Sequence, residues 1–241
     1  MTTLKTLLFV SVSLGLANPA CAQADAPARS IQIRTVLHDP AQPSAVLFVP
    51  SQGGSLAKLN LASEGLTDPQ VASVVNGSLS LFSSAVVDPK DPNAKLSATT
   101  KVPAEMSRMI VLVVPAAKGT TPPYRMLILD DSAKAFGKGE SRVVNLTPVE
   151  FAMEVGDAKI RIPAANVTPV PRITKLNEFN QAQTNFYYKE GESWAVFSER
   201  QLQYIDTIRR IFLISTTPGA VQPDIRTIVD YSQASQPVPP K

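Results

Sequence analysis

Cysteine is almost absent from this chain: Cys21 is the only one in 241 residues. It falls inside "MTTLKTLLFVSVSLGLANPACAQADAPARS", where Lys5, an apolar stretch from Leu7 to Ala17, Pro19 and the small residues Ala20, Ala22 and Ala24 follow in order. That order is the layout of a secretory signal peptide, so segment 1–24 is expected to be removed and the protein to be periplasmic or extracellular. Export permits disulfides, yet the mature chain then has no thiol, and its fold must rest on a buried core. Lipidation of Cys21 is the alternative. A small residue precedes it, but Asn18 stands where lipoprotein signals usually carry an aliphatic side chain. The apolar stretch is much shorter than the roughly 20 residues that cross a bilayer, and no longer run follows, so no transmembrane segment is expected in the mature chain.

Histidine is equally scarce, with His38 alone, in "LHDP". One imidazole and no thiol exclude a cysteine–histidine pair and leave no second ring for a zinc site. No G-x-S-x-G elbow, H-E-x-x-H pair or glycine-rich phosphate loop occurs. The expectation is a protein that is not an enzyme, with no catalytic residue, no metal and no cofactor, and His38 as a solvated turn residue. Charge of one sign is lacking too. Without Lys5, 22 basic residues stand against 20 acidic ones, scattered along the chain, which argues against nucleic acid as a partner.

What is abundant is proline, 21 residues, together with short apolar runs, a pairing that favours short strands and stiff loops over long helices. "SRMIVLVVPAAKGTTPPYRMLILDDS" (107–132) recurs in weaker form one hundred residues later as "TIRRIFLISTTPGAVQPDIRTIVDYS". At that offset Gly119, Pro123, Ile128, Asp130 and Ser132 match Gly219, Pro223, Ile228, Asp230 and Ser232. Further blocks pair in the same order: "SLSLFS" (78–83) with "SWAVFS" (193–198), "AKLNL" (57–61) with "AKIRI" (158–162), and "SAVLFV" (44–49) with "SRVVNL" (141–146). Matching blocks at shifting offsets are what a duplicated domain leaves behind. Continuous apolar runs such as "IVLVV" read as central strands, and alternating runs such as "EFAMEVG" as one-sided strands. "VGDAK" reads as a tight hairpin turn. The segment "ERQLQYIDTIRR" has near-helical apolar spacing and is expected to cross between sheets.

The fold class that follows is all-β, two tandem immunoglobulin-like antiparallel β-sandwich domains. The first spans 30–131 and the second 138–231. The joint 132–137 is short, so the sandwiches are expected to lie close, end to end, and the proline-rich tail 232–241 is expected to stay extended.

Candidate binding residues concentrate in the second copy. Phe179, Phe186, Tyr187, Tyr188, Trp194, Phe197 and Tyr204 are seven of the 15 aromatic residues. An aromatic face of this kind stacks on sugar rings or anchors a protein partner. Trp194 aligns with Leu79 of the first copy, and Phe186, Phe197 and Trp194 are expected in the core, with Tyr187 and Tyr188 left open. The amide-rich "NEFNQAQTN" before them offers Asn180, Gln183 and Asn185 as hydrogen-bonding partners. Asp130, Asp131 and Asp230 are expected to end strands by accepting backbone hydrogen bonds. The sequons at Asn76, Asn145 and Asn166 are read as chance, Asn145 lying within an expected strand.

At "SRVVNLTPVEFAMEVGDAKIRI" (141–162) the pattern of strand, Asn-Leu-Thr, strand and tight turn resembles small exported β-sandwich proteins of Gram-negative bacteria, and is similar to the periplasmic accessory proteins of alginate O-acetylation. The resemblance covers 22 residues and implies a two-sandwich architecture. The expected function is an exported, non-catalytic binding or scaffolding protein of the cell envelope acting through protein–protein contacts. The alternative is a carbohydrate-binding module using the aromatic face of the second domain, so the partner is an envelope protein or a glycan.

Overall fold

A computed structural model describes residues 28–39, 45–88, 90–91, 93–217, 220 and 222–231. The segment 1–24 with Cys21, expected to be a signal peptide, and the tail 232–241 lie outside the described residues. The elements are β1 (Arg29–Leu37), β2 (Phe48–Pro50), β3 (Leu56–Lys58), β4 (Gln70–Val74), β5 (Ser78–Phe82), β6 (Leu96–Lys101), β7 (Arg108–Pro115) and β8 (Tyr124–Asp130). They continue as β9 (Ser141–Asn145), β10 (Phe151–Val155), β11 (Ala158–Ile162), β12 (Val167–Val170), β13 (Gln181–Glu190), β14 (Ser193–Gln203), β15 (Arg209–Ser215) and β16 (Asp224–Asp230). Among the described residues no helix is long and apolar enough to cross a membrane.

The first eight strands form one sandwich and the last eight repeat it. Sheet orders β4-β1-β7-β8 and β3-β2-β5-β6 recur as β12-β9-β15-β16 and β11-β10-β13-β14. The repetition extends to direction: β1 runs parallel to β7 as β9 does to β15, while the other pairs are antiparallel. These two parallel pairs refine the expectation of wholly antiparallel sheets. Alternation places Ile31, Ile33, Leu79, Leu81 and Val111 in the first core, and Val143, Phe151, Met153, Phe186 and Phe212 in the second. Each such side chain, fully buried, contributes about 1.5–3 kcal/mol. "VGDAK" turns as expected, with Gly156 at φ 59 between β10 and β11.

A third apolar cluster lies between the sandwiches. The opposite faces of β1, β7, β9 and β15 supply Val36, Ile110, Leu112, Val144, Ile211 and Leu213, and Phe136 of the joint is buried among them. The two sandwiches therefore meet sheet against sheet, and not end to end. This is why "IVLVV" and "IFLI" are apolar at every position: they are buried on both faces.

Register also corrects the alignment of the copies. Ile110 pairs with Leu129 as Ile211 pairs with Ile228, and these four side chains share the third cluster. The correspondence is thus one residue away from the offset of one hundred, in opposite directions on the two strands of the hairpin. A slip of one residue exchanges the faces of a strand, so the alignment read from the sequence matched core positions to interface positions. "SRVVNL" corresponds to β1 and not to "SAVLFV", and β14, which holds "SWAVFS", corresponds to β6 and not to "SLSLFS". The match of "AKLNL" with "AKIRI" brings the right strands together, β3 with β11, two residues out of register.

Under the corrected alignment Asp131 is the counterpart of Asp230, Arg108 of Arg209 and Arg34 of Arg142. Four of these six form a buried ionic quartet. Arg34 donates to Asp131 (3.0 and 2.9 Å) and to Asp230 (2.9 and 2.8 Å). Arg209 donates to Asp131 at 2.7 Å, to Asp230 and to the Phe136 carbonyl at 2.9 Å. Burial alone would lower the Arg34 guanidinium, but its hydrogen bonds to Asp230 and Asp131 hold it above its ordinary value. Only Asp130 follows the expected strand-ending role, accepting from the Ser132 N–H at 2.8 Å.

Candidate functional site

The outer sheet of the second sandwich, β11-β10-β13-β14, turns one face away from its core. Hairpin register sets its rows: Arg161 beside Ala152 beside Tyr187 beside Val196, then Lys159 beside Glu154 beside Asn185 beside Glu199. Lys189 and Trp194 pair in the row above. Ala152, Glu154, Lys159, Arg161, Tyr187 and Trp194 line a groove of about 410 Å³ on this face.

Of the five residues read from the sequence, this face gathers Gln183, Asn185 and Tyr187. Tyr188 points the other way and packs edge-on against Phe197, ring centroids 6.1 Å apart. Asn180 lies in the turn before β13, at φ 57, with its N–H donating to the Asn177 carbonyl. Those two belong to other parts of the sandwich.

The three that gather are linked by hydrogen bonds. Gln183 Nε2 donates to Asn185 Oδ1 (2.8 Å), Asn185 Nδ2 to the Tyr187 hydroxyl (3.5 Å), and that hydroxyl to Glu154 Oε2 (2.8 Å). Lys159 Nζ meets Glu154 Oε1 at 2.9 Å. The bonds from Lys159 and Tyr187 hold the Glu154 carboxyl below its ordinary value, and the carboxylate in turn raises both Tyr187 and Lys159. Glu154 is therefore an anion at neutral pH, already engaged by two donors.

Trp194 departs from the expectation. Phe186 and Phe197 belong to the core as read, whereas Trp194 is 36% exposed and Val196 43%. The cause is a β-bulge: register shifts between Phe186 and Tyr187, so Asn185 faces Glu199 but Tyr187 faces Val196. Below the bulge the even residues of β14 face the core with Leu202. Above it they face out, carrying Trp194 to the surface. The sequence reading also missed Ala152, Glu154, Lys159 and Arg161. Their signal was present in the alternation of "EFAMEVGDAKIRI", whose outward positions are these four.

The chain matches no protein-family model, and no curated protein matches it. Comparison within the chain itself is informative. The first outer sheet has the same bulge, between Leu81 and Phe82, and there Phe48 pairs with Phe82 where the second copy pairs Ala152 with Tyr187. Pro50 and Leu56 hold the places of Glu154 and Lys159. On one scaffold the first copy sets two phenyl rings, Phe48 and Phe82, beside Pro50 and Leu56, which with Phe82 line an apolar cavity of about 540 Å³. The second has one ring, Tyr187, at the equivalent positions and polar groups around it.

His38 is half-buried in a cleft between the sandwiches, where Asp39, Tyr124, Arg125, Leu146 and Asp224 also lie. It is not the solvated turn residue expected. Asn145 is buried, its amide donating to the carbonyls of Val149 (2.7 Å) and Pro163 (2.9 Å). Among the described residues no three His, Cys, Asp or Glu side chains gather as a metal-holding group.

Proposed function

We propose that this chain is an exported, non-catalytic binding protein of the cell envelope and that the outer face of its second sandwich is the recognition surface. The observation that carries the reading is the divergence in lining between copies at one site: Phe48, Phe82, Pro50 and Leu56 in the first, Ala152, Tyr187, Glu154 and Lys159 in the second. Residues that only maintained the sheet would have no need of the exchange. Export rests on the leader 1–24. Both occupants expected from the sequence, an envelope protein and a glycan, use accessible aromatic rings, and the rings here are the exposed Trp194 and the half-buried Tyr187.

The test is a photo-activatable residue at position 185 in the expressing cell, with position 80 on the outer face of the first sandwich as control. Adducts to envelope material from 185 alone, on protein recovered in the envelope or medium, support the proposal. Equal behaviour of the two positions, or retention in the cytoplasm, overturns it.

A further inference from the structure

We infer that the groove beside Trp194 binds a neutral glycan chain lying along β13; this rests on the proposal that the outer face is the recognition surface. Three observations select the ligand. The first is charge. Lys159 is paired with Glu154 at 2.9 Å and Arg161 with Glu150 at 3.6 Å, so each cation in the groove has its own carboxylate. An anionic or cationic ligand finds no unpaired opposite charge among the side chains that line the groove, whereas hydroxyl groups add to both members of a pair.

The second is the placement of apolar surface. Trp194 and Tyr187 present rings at the groove while its floor between Tyr187 and Arg161 is the methyl group of Ala152. A sugar ring offers what this arrangement takes: a C–H face to lie on an aromatic ring and a rim of hydroxyls for the surrounding carboxylate, amide and ammonium groups. A protein partner asks for a broader anchor. The exposed apolar residues on this face are only Trp194 and Val196, bordered by Glu199 and Lys189. Standard interfaces bury about 800 Å² per partner around a packed apolar centre.

The third is length. From Lys189 to Gln183 the outward side chains of β13 form one line, and Gln183, Asn185 and Tyr187 are joined by hydrogen bonds along it. At about 3.4 Å per residue that line is roughly 20 Å long; it meets the groove at Tyr187 and continues beyond it as polar side chains, which suits a linear polymer better than a single small molecule.

Trp194 is the only tryptophan of the chain, so its fluorescence reports this groove alone. The full chain should be titrated with a soluble β-glucan, an α-glucan, a mannan and polygalacturonate. The expected result is saturable change of Trp194 emission with at least one neutral polymer, persisting in high salt. In Tyr187→Ala, titrated at a temperature where the variant is fully folded, affinity should fall by at least about tenfold. Trp194→Ala, read by retention in an affinity gel containing the polymer, should lose binding and Trp194→Phe restore part of it. Binding of polygalacturonate alone, abolished by salt, overturns the neutral class. Failure of all four polymers overturns the glycan inference, and photo-adducts to a protein from position 185 would then leave the recognition surface standing. Failure of both overturns the two together.

Discussion

Arg209 shows how much one residue carries at the centre of this molecule. Its side chain is fully buried, and its charge is tolerated only because Asp131 and Asp230 accept from it and Arg34 completes the balance. Removing one partner of such a set leaves an uncompensated buried charge, at a cost of about 3–5 kcal/mol. Arg209→Met should therefore lower unfolding free energy in urea by about that amount. Arg209→Met combined with Asp131→Leu, which leaves Arg34 with Asp230, should be markedly less destabilised than the sum of the single changes. Additivity of the two would show that the four groups do not act as a set.

His38 behaves differently because it is half-buried in a setting that disfavours its charged form. Burial lowers its imidazole below the ordinary value of 6.5; Arg226 adds to the shift while Asp224 and Asp39 oppose it. Well above pH 6.5 the ring is neutral in folded and unfolded chains alike. As pH falls through that value the unfolded chain takes up the proton first, so stability falls until the folded-state value is passed. His38→Gln should flatten this part of the stability profile, measured as the urea midpoint on descending pH from 7 to about 5.

Among the elements, the strands were legible and their faces were not always so. "IVLVV", "AKIRI" and the hairpin at Gly156 could be read because burial leaves an apolar pattern of period one or two. Trp194 was misplaced because the bulge opposite Tyr187 inverts the pattern within one strand, and no residue in "SWAVFSERQL" marks it. The same limit affected the repeat. The duplication itself was readable from "SRMIVLVV" and "TIRRIFLI", but strands apolar on both faces contain no alternation with which to choose between registers one residue apart.

The crossover after β14 is held by a close approach that sequence gives no hint of. Gly139 is at φ 75, and a Cβ there would lie 3.2 Å from the Asp206 carbonyl oxygen and 3.3 Å from its Cα. Backbone atoms cannot swing aside as a side chain does. Gly139→Ala should cost about 1–3 kcal/mol by thermal or urea unfolding. The equivalent change at Gly119, where a Cβ meets nothing within 4 Å, should cost less, the difference being the contact.

At the scale of the molecule, the third apolar cluster makes the two sandwiches interdependent. Phe136 fills it from the joint, with the Arg209 and Arg142 guanidinium carbons 4.4 and 4.8 Å from its ring centroid. Unfolding should therefore be a single transition in which Trp194 emission, reporting the second sandwich, coincides with far-ultraviolet dichroism, reporting both. Phe136→Ala should cost about 3–5 kcal/mol and pull the two curves apart. If the curves separate in the unsubstituted protein, the sandwiches are independent and the interface contributes little.

The sequence by itself determined an all-β chain, a duplicated unit and an aromatic region confined to the second copy, because these depend on local composition and on periodicities of a few residues. The sheet-to-sheet meeting of the copies, the pairing of Arg34 and Arg209 with Asp131 and Asp230, and the exposure of Trp194 were decided only by tertiary structure. Each depends on which face a strand turns toward a partner distant in sequence, and that is settled by register, bulges and packing across the interface.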